Sequence, residues 1–172
     1  PMRQPLLLLK NGFTLIEVMI GMAILIVLAG MAVPSFSQAL ENAEVSSLEQ
    51  QLQRIRTAID YYTFQHEEQN PGYHPAYMTW TSATFENQLL LASDDDGLTA
   101  APGTSGYFYG PYITEGFPRN PFSSLSTIQI VQPGATFATP DDTTGWVYWA
   151  DTGIFRANST GSTPDGTPLF EL

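Results

Sequence analysis

The feature that most limits how this chain can fold is a stretch of 21 residues, Phe13–Val33, in which Glu17 is the only charged side chain. About 20 apolar residues in a helix span the hydrocarbon core of a bilayer. The stretch therefore predicts a membrane-spanning helix, although a carboxylate inside such a helix is costly unless a partner compensates it. Arg3 and Lys10 precede the stretch and no acidic residue does, so we expect the N-terminus on the cytoplasmic side.

The apolar stretch has two ordinary interpretations. A secretory signal peptide has an apolar core of about 7–15 residues, followed by small residues at a cleavage site. The stretch in this chain is longer than that, and Glu17 lies within it. A simple membrane anchor explains the length of the stretch but does not explain Glu17.

The helical pattern continues beyond Pro34 in a different form. Apolar residues recur there at steps of mostly three and four, which predicts an amphipathic helix over residues 35–70, up to the stop signal Asn70–Gly72. Pro34 has no backbone N–H and crowds the preceding turn, so we expect a kink or local melting there. The apolar positions are Phe36, Leu40, Ala43, Leu48, Leu52, Ile55, Ile59 and Tyr62.

Residues 71–172 are rich in glycine, proline and aromatic side chains, which predicts a loop-rich globular domain. One short helix is expected at about Ser82–Leu91. The turn Asp151–Gly153 has the chemistry of a hairpin. We expect three short antiparallel strands in the last third of the chain, and the segments with alternating or β-branched and aromatic composition are Ser126–Val131, Gly145–Ala150 and Ile154–Asn158.

The composition argues against several classes of function. The chain has 6 Lys and Arg against 17 Asp and Glu, a formal net charge of −11, and no basic stripe, so nucleic-acid binding is not expected. There is no cysteine, which excludes disulfide and thiol chemistry, and His66 and His74 do not form a spaced metal motif. No nucleophile–base set and no glycine-rich phosphate loop is supported, so we do not expect an enzyme.

The segment "KNGFTLIEVMIGMAILIVLAGMAVPSF" resembles the class III signal (GFTLIEV) of bacterial type IV pilins and type II secretion pseudopilins. In that family a membrane prepilin peptidase cleaves after the glycine and methylates the new N-terminal phenylalanine. The resemblance therefore implies a leader peptide at residues 1–12, cleavage between Gly12 and Phe13, and N-methylation of Phe13. The matching residues are Gly12, Phe13, Thr14, Leu15, Ile16, Glu17, the apolar run and Pro34.

The same resemblance implies the α+β pilin fold. A long N-terminal helix, with a transmembrane and filament-core half at residues 13–34 and an amphipathic half at 35–70, would pack on a small antiparallel sheet. The sheet and a loop-rich region would make up the globular domain at 71–172, with antiparallel strands near the C-terminus.

The resemblance also implies a partner for Glu17. Cleavage would create a charged amine on Phe13, and Glu17 of a neighbouring subunit would pair with it as helices stack, because two buried opposite charges compensate each other. Phe13, Glu17 and Pro34 are therefore the expected assembly residues. Loss of the leader would also remove Arg3 and Lys10, which leaves 4 basic against 17 acidic residues, a formal charge of 4 − 17 = −13.

Weaker similarities reach into the globular domain and are closest to the major pseudopilin type. The loop "YGPYITEGFPRNPF" resembles a loop of those proteins, and the absence of cysteine agrees, since many type IV pilins close their C-terminal region with a disulfide. Major pseudopilins often bind calcium in an acidic loop. No acidic segment here has the spacing of an EF-hand, so no cofactor is firmly expected, and the calcium candidates are Asp94, Asp95, Asp96, Asp141, Asp142, Asp151 and Asp165.

The resemblance implies a structural subunit of a type IV pilus-like or type II secretion pseudopilus filament. The chain would be held in the bacterial inner membrane before assembly, with its domain outside the cytoplasm, and in a periplasmic or extracellular filament afterwards. The implied partners are further copies of the chain, the prepilin peptidase, an inner-membrane assembly platform with its ATPase, and minor pilins. Two alternatives stay open, a minor pseudopilin that primes the filament and a membrane-tethered binding protein that does not polymerise.

Overall fold

The computed structural model describes residues 12–137 and 139–172, with the backbone alone described at 32–35. Residues 1–11 of the predicted leader and the side chain of Pro34 lie outside the described residues. The chain divides into two compact units, and the boundary falls between Leu40 and Glu41. We refer to the part up to Leu40 as the N-terminal unit and to Glu41–Leu172 as the C-terminal unit.

The first element is one helix, α1, which runs from Leu15 to Gln65. Its backbone is helical at position 34, so the local melting expected at Pro34 is not observed. The helix ends before the predicted boundary at residue 70, because Glu67 adopts a left-handed backbone conformation with φ of 53°. The N–H of Glu68 then donates to the carbonyl of Thr63 at 3.0 Å, which is the closing bond of a Schellman C-cap.

The C-terminal unit adds a second helix and two short hairpins. Helix α2 (Ser82–Leu90) confirms the short helix predicted at Ser82–Leu91. Thr81 caps it, since the N–H of Thr84 donates to Thr81 Oγ1 at 3.1 Å. The two antiparallel pairs join β1 (Tyr73–His74) to β2 (Thr79–Trp80) and β3 (Ala92–Ser93) to β4 (Thr99–Ala100).

A three-stranded sheet follows, in the order β5 (Ile128–Val131), β6 (Trp146–Trp149) and β7 (Phe155–Ala157). All three strands lie where the sequence predicts them, and β6 and β7 form the predicted antiparallel hairpin. The prediction that all three strands are antiparallel is wrong, because β5 pairs with β6 in parallel. Residues 132–145, which connect them, are longer than a hairpin turn and leave the chain free to return to the same end of the sheet.

The core of the C-terminal unit forms between α1, α2 and this sheet. The predicted apolar face of α1 supplies Leu48, Leu52, Ile55, Ile59 and Tyr62, all of them buried. The chain therefore has the predicted α+β class, with a long N-terminal helix and small sheets. The other large members of the core are Phe85, Leu89, Ile113, Trp146, Tyr148, Phe155 and Leu169. A 3-10 helix, Leu169–Glu171, ends the described elements.

Candidate processing and assembly site

The described residues of the N-terminal unit present an exposed apolar helix surface. The first half of α1 is long and apolar enough to cross a membrane, and no residue of that apolar segment is buried. The exposed fraction of the side chain is 86% at Phe13 and 69% at Met31. Exposed apolar surface of this extent marks a contact with lipid or with other protein chains.

The predicted cleavage site lies just before this helix. Gly12, Phe13 and Thr14 are outside regular structure, and all three are exposed. Exposed segments outside regular structure are the preferred sites of proteolysis, and the bond between Gly12 and Phe13 lies in such a segment. Cleavage between Gly12 and Phe13 stays a prediction, and the bond is accessible to a peptidase.

Thr14 and Glu17 form a capping box at the start of α1. The N–H and the Oγ1 of Thr14 both donate to Glu17 Oε2, at 2.9 and 2.8 Å. In return the N–H of Glu17 donates to Thr14 Oγ1 at 3.3 Å. This reciprocal arrangement satisfies backbone N–H groups that have no partner inside the helix.

Glu17 therefore has a role within its own chain that the sequence analysis missed. The signal was present, because Thr at the N-cap followed three residues later by Glu is the sequence signature of a capping box. Both bonds from Thr14 use Oε2, and within the described part of the chain Oε1 accepts none. One oxygen of the carboxylate therefore stays available to a second donor.

The structure does not bring all three predicted assembly residues together. Phe13 and Glu17 lie within one helical turn of each other, whereas position 34 is 17 residues further along α1. At about 1.5 Å per residue, that separation is about 25 Å. Any contact that combines position 34 with the Phe13–Glu17 end must therefore involve another chain.

Five of the seven aspartates considered for calcium accept hydrogen bonds from groups of their own chain. Asp94 Oδ1 accepts from the N–H groups of Asp96 and Leu98, at 3.1 and 2.8 Å, and closes the turn between β3 and β4. Asp95 Oδ1 accepts the hydroxyl of Tyr109 at 2.8 Å. Hydrogen bonds of this kind are typical of a solvated turn whose conformation is fixed by its own side chains.

Asp141 and Asp142, in the second acidic loop, also accept hydrogen bonds from their own chain. Asp141 Oδ1 accepts from Asn158 Nδ2 at 2.7 Å and from the Oγ1 of Thr143 at 2.8 Å. These hydrogen bonds, from Thr143 first, hold the pKa of Asp141 below its usual value. Asp142 accepts from the N–H of Thr160 at 3.1 Å. Across residues 12–137 and 139–172, no group of three or more His, Cys, Asp or Glu side chains is placed to hold a metal ion.

Two arginines that the sequence analysis did not single out meet on the C-terminal unit. Arg56 on α1 donates through Nε and Nη2 to the carbonyl of Phe155, at 3.0 and 2.9 Å, and through Nη2 to the backbone oxygen of Leu172, the last residue of the sequence, at 2.6 Å. Arg156 on β7 donates to the carbonyl of Phe170 at 3.2 Å and covers its ring at 5.1 Å. Burial, and then the charge of Arg156, lower the pKa of Arg56. No local signal predicts this meeting, because 100 positions of sequence separate the two residues.

Comparisons with known proteins agree with the N-terminal geometry. Residues 8–33 match the prokaryotic N-terminal methylation motif. A type IV major fimbrial protein FimA of Dichelobacter nodosus is 30% identical over 98 residues, which cover 57% of this chain and 60% of that protein. The chain is therefore similar to type IV pilins over its matched residues. A second FimA of the same organism is 40% identical over 52 residues, 30% of this chain and 32% of the relative.

The chain spans about 60% of the length of the first two FimA proteins that it matches, and no solved structure matches the chain. Type IV pilins are structural subunits rather than enzymes, which agrees with the expectation against catalysis. The closer similarity to major pseudopilins stays a prediction.

Proposed function

We propose that this chain is the structural subunit of a type IV pilus-like filament, and that it polymerises through its N-terminal helix after cleavage between Gly12 and Phe13. The observation that carries the proposal is the exposed apolar surface of α1, which lies within the methylation motif matched at residues 8–33. The relatives are named as major fimbrial proteins, and a filament subunit is the function for which such a surface has a use.

The energetics of the apolar surface support polymerisation. Burial of one large apolar side chain stabilises by roughly 1.5–3 kcal/mol relative to exposure in water. The surface is therefore stable in a bilayer or against other apolar helices, and not in water. A helix that begins in the membrane and passes into the core of a fibre keeps its surface out of water throughout.

Glu17 has a place in this proposal that extends its role in the capping box. Cleavage would convert Phe13 into the N-terminus, with a charged amine next to the exposed apolar surface. The free Oε1 of Glu17 would accept that amine from a neighbouring subunit, while Oε2 keeps its bonds to Thr14. Pairing of the two charges in a water-poor fibre core would set the axial register between subunits.

The location and partners follow from the same proposal. Before assembly the chain would lie in the bacterial inner membrane, with its N-terminus in the cytoplasm and the C-terminal unit outside. Its partners would be the prepilin peptidase, the assembly platform with its ATPase, minor pilins and further copies of itself. The filament would then be periplasmic or extracellular.

A type II secretion pseudopilus is the second candidate for the same subunit. The observation that favours it is the absence of cysteine, since many type IV pilins close their C-terminal region with a disulfide. Deletion of the chain from its native host separates the two candidates. Loss of surface fibres in electron micrographs supports the pilus, whereas intact fibres with retention of secreted proteins in the periplasm support the pseudopilus.

The test of the proposed function is the intact mass and N-terminal sequence of the native protein, together with electron microscopy of the sheared surface fraction. We expect a chain that begins at N-methylated Phe13 and is present in fibres. A native chain that begins at Met2, or near Pro34, would exclude the processing on which the proposal depends.

A further inference from the structure

The charge of the C-terminal unit poses a problem for self-assembly. This unit contains every acidic residue of the chain except Glu17, and its basic residues are four arginines. Copies of such a unit repel one another at close range. In a filament of these chains, contacts that place the few positive groups opposite carboxylates of neighbouring copies reduce this repulsion.

Two of the four arginines are already used on the unit's own surface. Arg54 forms an ion pair with Glu115 at 3.1 Å. Arg119 donates to the carbonyl of Ser124, five positions further along the chain, at 3.0 Å. Arg56 and Arg156 differ, because within the described residues neither forms an ion pair with an Asp or Glu side chain, and they meet in one groove.

The groove has a volume of about 330 Å³ and is open on one side. Both guanidinium groups are half-buried, and both spend part of their N–H groups on backbone carbonyls. Those bonds fix the position of each guanidinium and leave other N–H groups, Nη1 of Arg56 and Nη2 of Arg156, without a hydrogen bond inside the described chain. The planar fork of a guanidinium matches the two oxygens of a carboxylate, and partial burial strengthens the attraction. The groove is lined by Arg56, Asp60, Thr152, Ile154, Arg156 and Leu172, among others.

A carboxylate of suitable geometry occurs in the turn Asp94–Gly97. Asp95 and Asp96 are exposed there, and within the described residues the carboxylate of Asp96 accepts no hydrogen bond. Hydrogen bonds fix the backbone of the turn, because Gln88 Nε2 donates to the carbonyl of Gly97 at 2.8 Å and Asp94 Oδ1 accepts from two backbone N–H groups. A rigid segment loses little conformational entropy on binding.

The aspartates of two other loops are less suited to this contact. The carboxylates of Asp141, Asp142 and Asp165 already accept hydrogen bonds from neighbouring hydroxyl, amide or backbone groups. Their bonds would have to break before an arginine of another copy could take their place. The turn Asp94–Gly97 offers a carboxylate without that requirement.

We propose that the groove formed by Arg56 and Arg156 binds the Asp95–Asp96 turn of a second copy of this chain. The inference rests on the proposed function, because it describes one contact of the filament. Groove and turn are different surfaces of the same chain, so the contact is head-to-tail, and a head-to-tail contact that does not close into a ring propagates an open helical fibre.

The test uses charge reversal in the full chain, expressed in the native host, with the yield of sheared filaments as the readout. Arg156→Glu is expected to lower that yield about tenfold or more, because it places like charges opposite each other. Arg119→Glu changes the net charge by the same amount outside the groove, and it is expected to assemble like the wild type. The double variant Arg156→Glu with Asp96→Arg restores an opposite-charge pair and is expected to recover most of the yield.

Folding and assembly are separated by further measurements. Arg156 also contacts Phe170, so the thermal unfolding of each variant is recorded in detergent micelles. Asp96→Arg alone leaves every hydrogen bond of the turn in place, so it is expected to unfold like the wild type and still to assemble poorly.

The outcomes distinguish the inference from the proposed function. Wild-type filament yield in both Arg156→Glu and Asp96→Arg would overturn the contact, and so would impaired single variants whose combination shows no recovery. If the wild-type chain is not processed at Phe13 and yields no filaments, the proposed function itself fails. That failure would be measured on the wild-type chain alone, before any variant is made.

Discussion

The hydroxyl of Tyr148 gives the sharpest prediction about the stability of the C-terminal unit. Tyr148 lies in the central strand β6 and is fully buried, with its ring 4.3 Å from that of Phe85. Its hydroxyl oxygen is buried and has no hydrogen-bond partner among the described residues. Burial, and then the nearby Tyr62, raise the pKa of Tyr148, as expected of a phenol in an apolar core.

Tyr148→Phe removes this hydroxyl and keeps the ring. A buried polar group without a partner destabilises the folded state by about 1–3 kcal/mol, and the lost oxygen leaves a small gap that offsets part of the gain. We therefore expect the free energy of unfolding to rise by about 1 kcal/mol, which for a chain of this size raises Tm by about 2–4 °C.

Tyr112→Phe is the matched control. The hydroxyl of Tyr112 donates to Gln65 Oε1 at 2.7 Å, so the same chemical change removes a hydrogen bond that exists. We expect it to lower the free energy of unfolding by about 0.5–1.5 kcal/mol, opposite in sign to Tyr148→Phe.

Urea unfolding of the full chain in detergent micelles, followed by tryptophan fluorescence, measures both variants. All three tryptophans (Trp80, Trp146 and Trp149) lie in the C-terminal unit, so the signal reports that unit. A loss of 1 kcal/mol or more in Tyr148→Phe would refute the reasoning, since it would mean that the hydroxyl has a partner in the folded protein.

Three further predictions test other contacts. Arg56→Met should lower the free energy of unfolding by about 2–4 kcal/mol, because it leaves two backbone oxygens without their charged donor. Arg54→Met breaks an exposed ion pair and should change the free energy of unfolding by about 1 kcal/mol or less in the same urea assay. Glu17→Ala should leave membrane insertion normal and abolish or strongly reduce filament yield, and a wild-type yield would contradict the pairing with Phe13. The free energy of unfolding should fall as pH rises from about 10 to 12, because burial raises the pKa of Tyr112 to about 12 while an unfolded tyrosine ionises near 10.0. Tyr112→Phe should weaken that pH dependence, and an unchanged profile would assign the dependence to other groups.

The N-terminal signal and the helices could be predicted because they are local. The order glycine, phenylalanine, acid and long apolar run is recognised without any fold, and the 3.6-residue period placed Leu48, Leu52 and Ile55 on the buried face of α1. The capping box of Thr14 and Glu17 was equally local, and it was missed although its spacing was visible. Local hydrogen bonds need no information from distant residues.

Tertiary structure decided what depends on residues far apart in the chain. The alternation in Ile128–Val131 predicts a strand and a buried face, but its direction beside β6 depends on the path of the connecting chain, which alternation does not encode. Nothing in the local sequence singles out Arg56. Only packing of α1 against the C-terminal strands brings its guanidinium to Phe155 and Leu172, 99 and 116 positions away, and makes it half of a groove. The sequence by itself thus determined the methylation motif and the apolar stretch, because both follow from consecutive residues, and the fold determined which charges of an acidic domain come together.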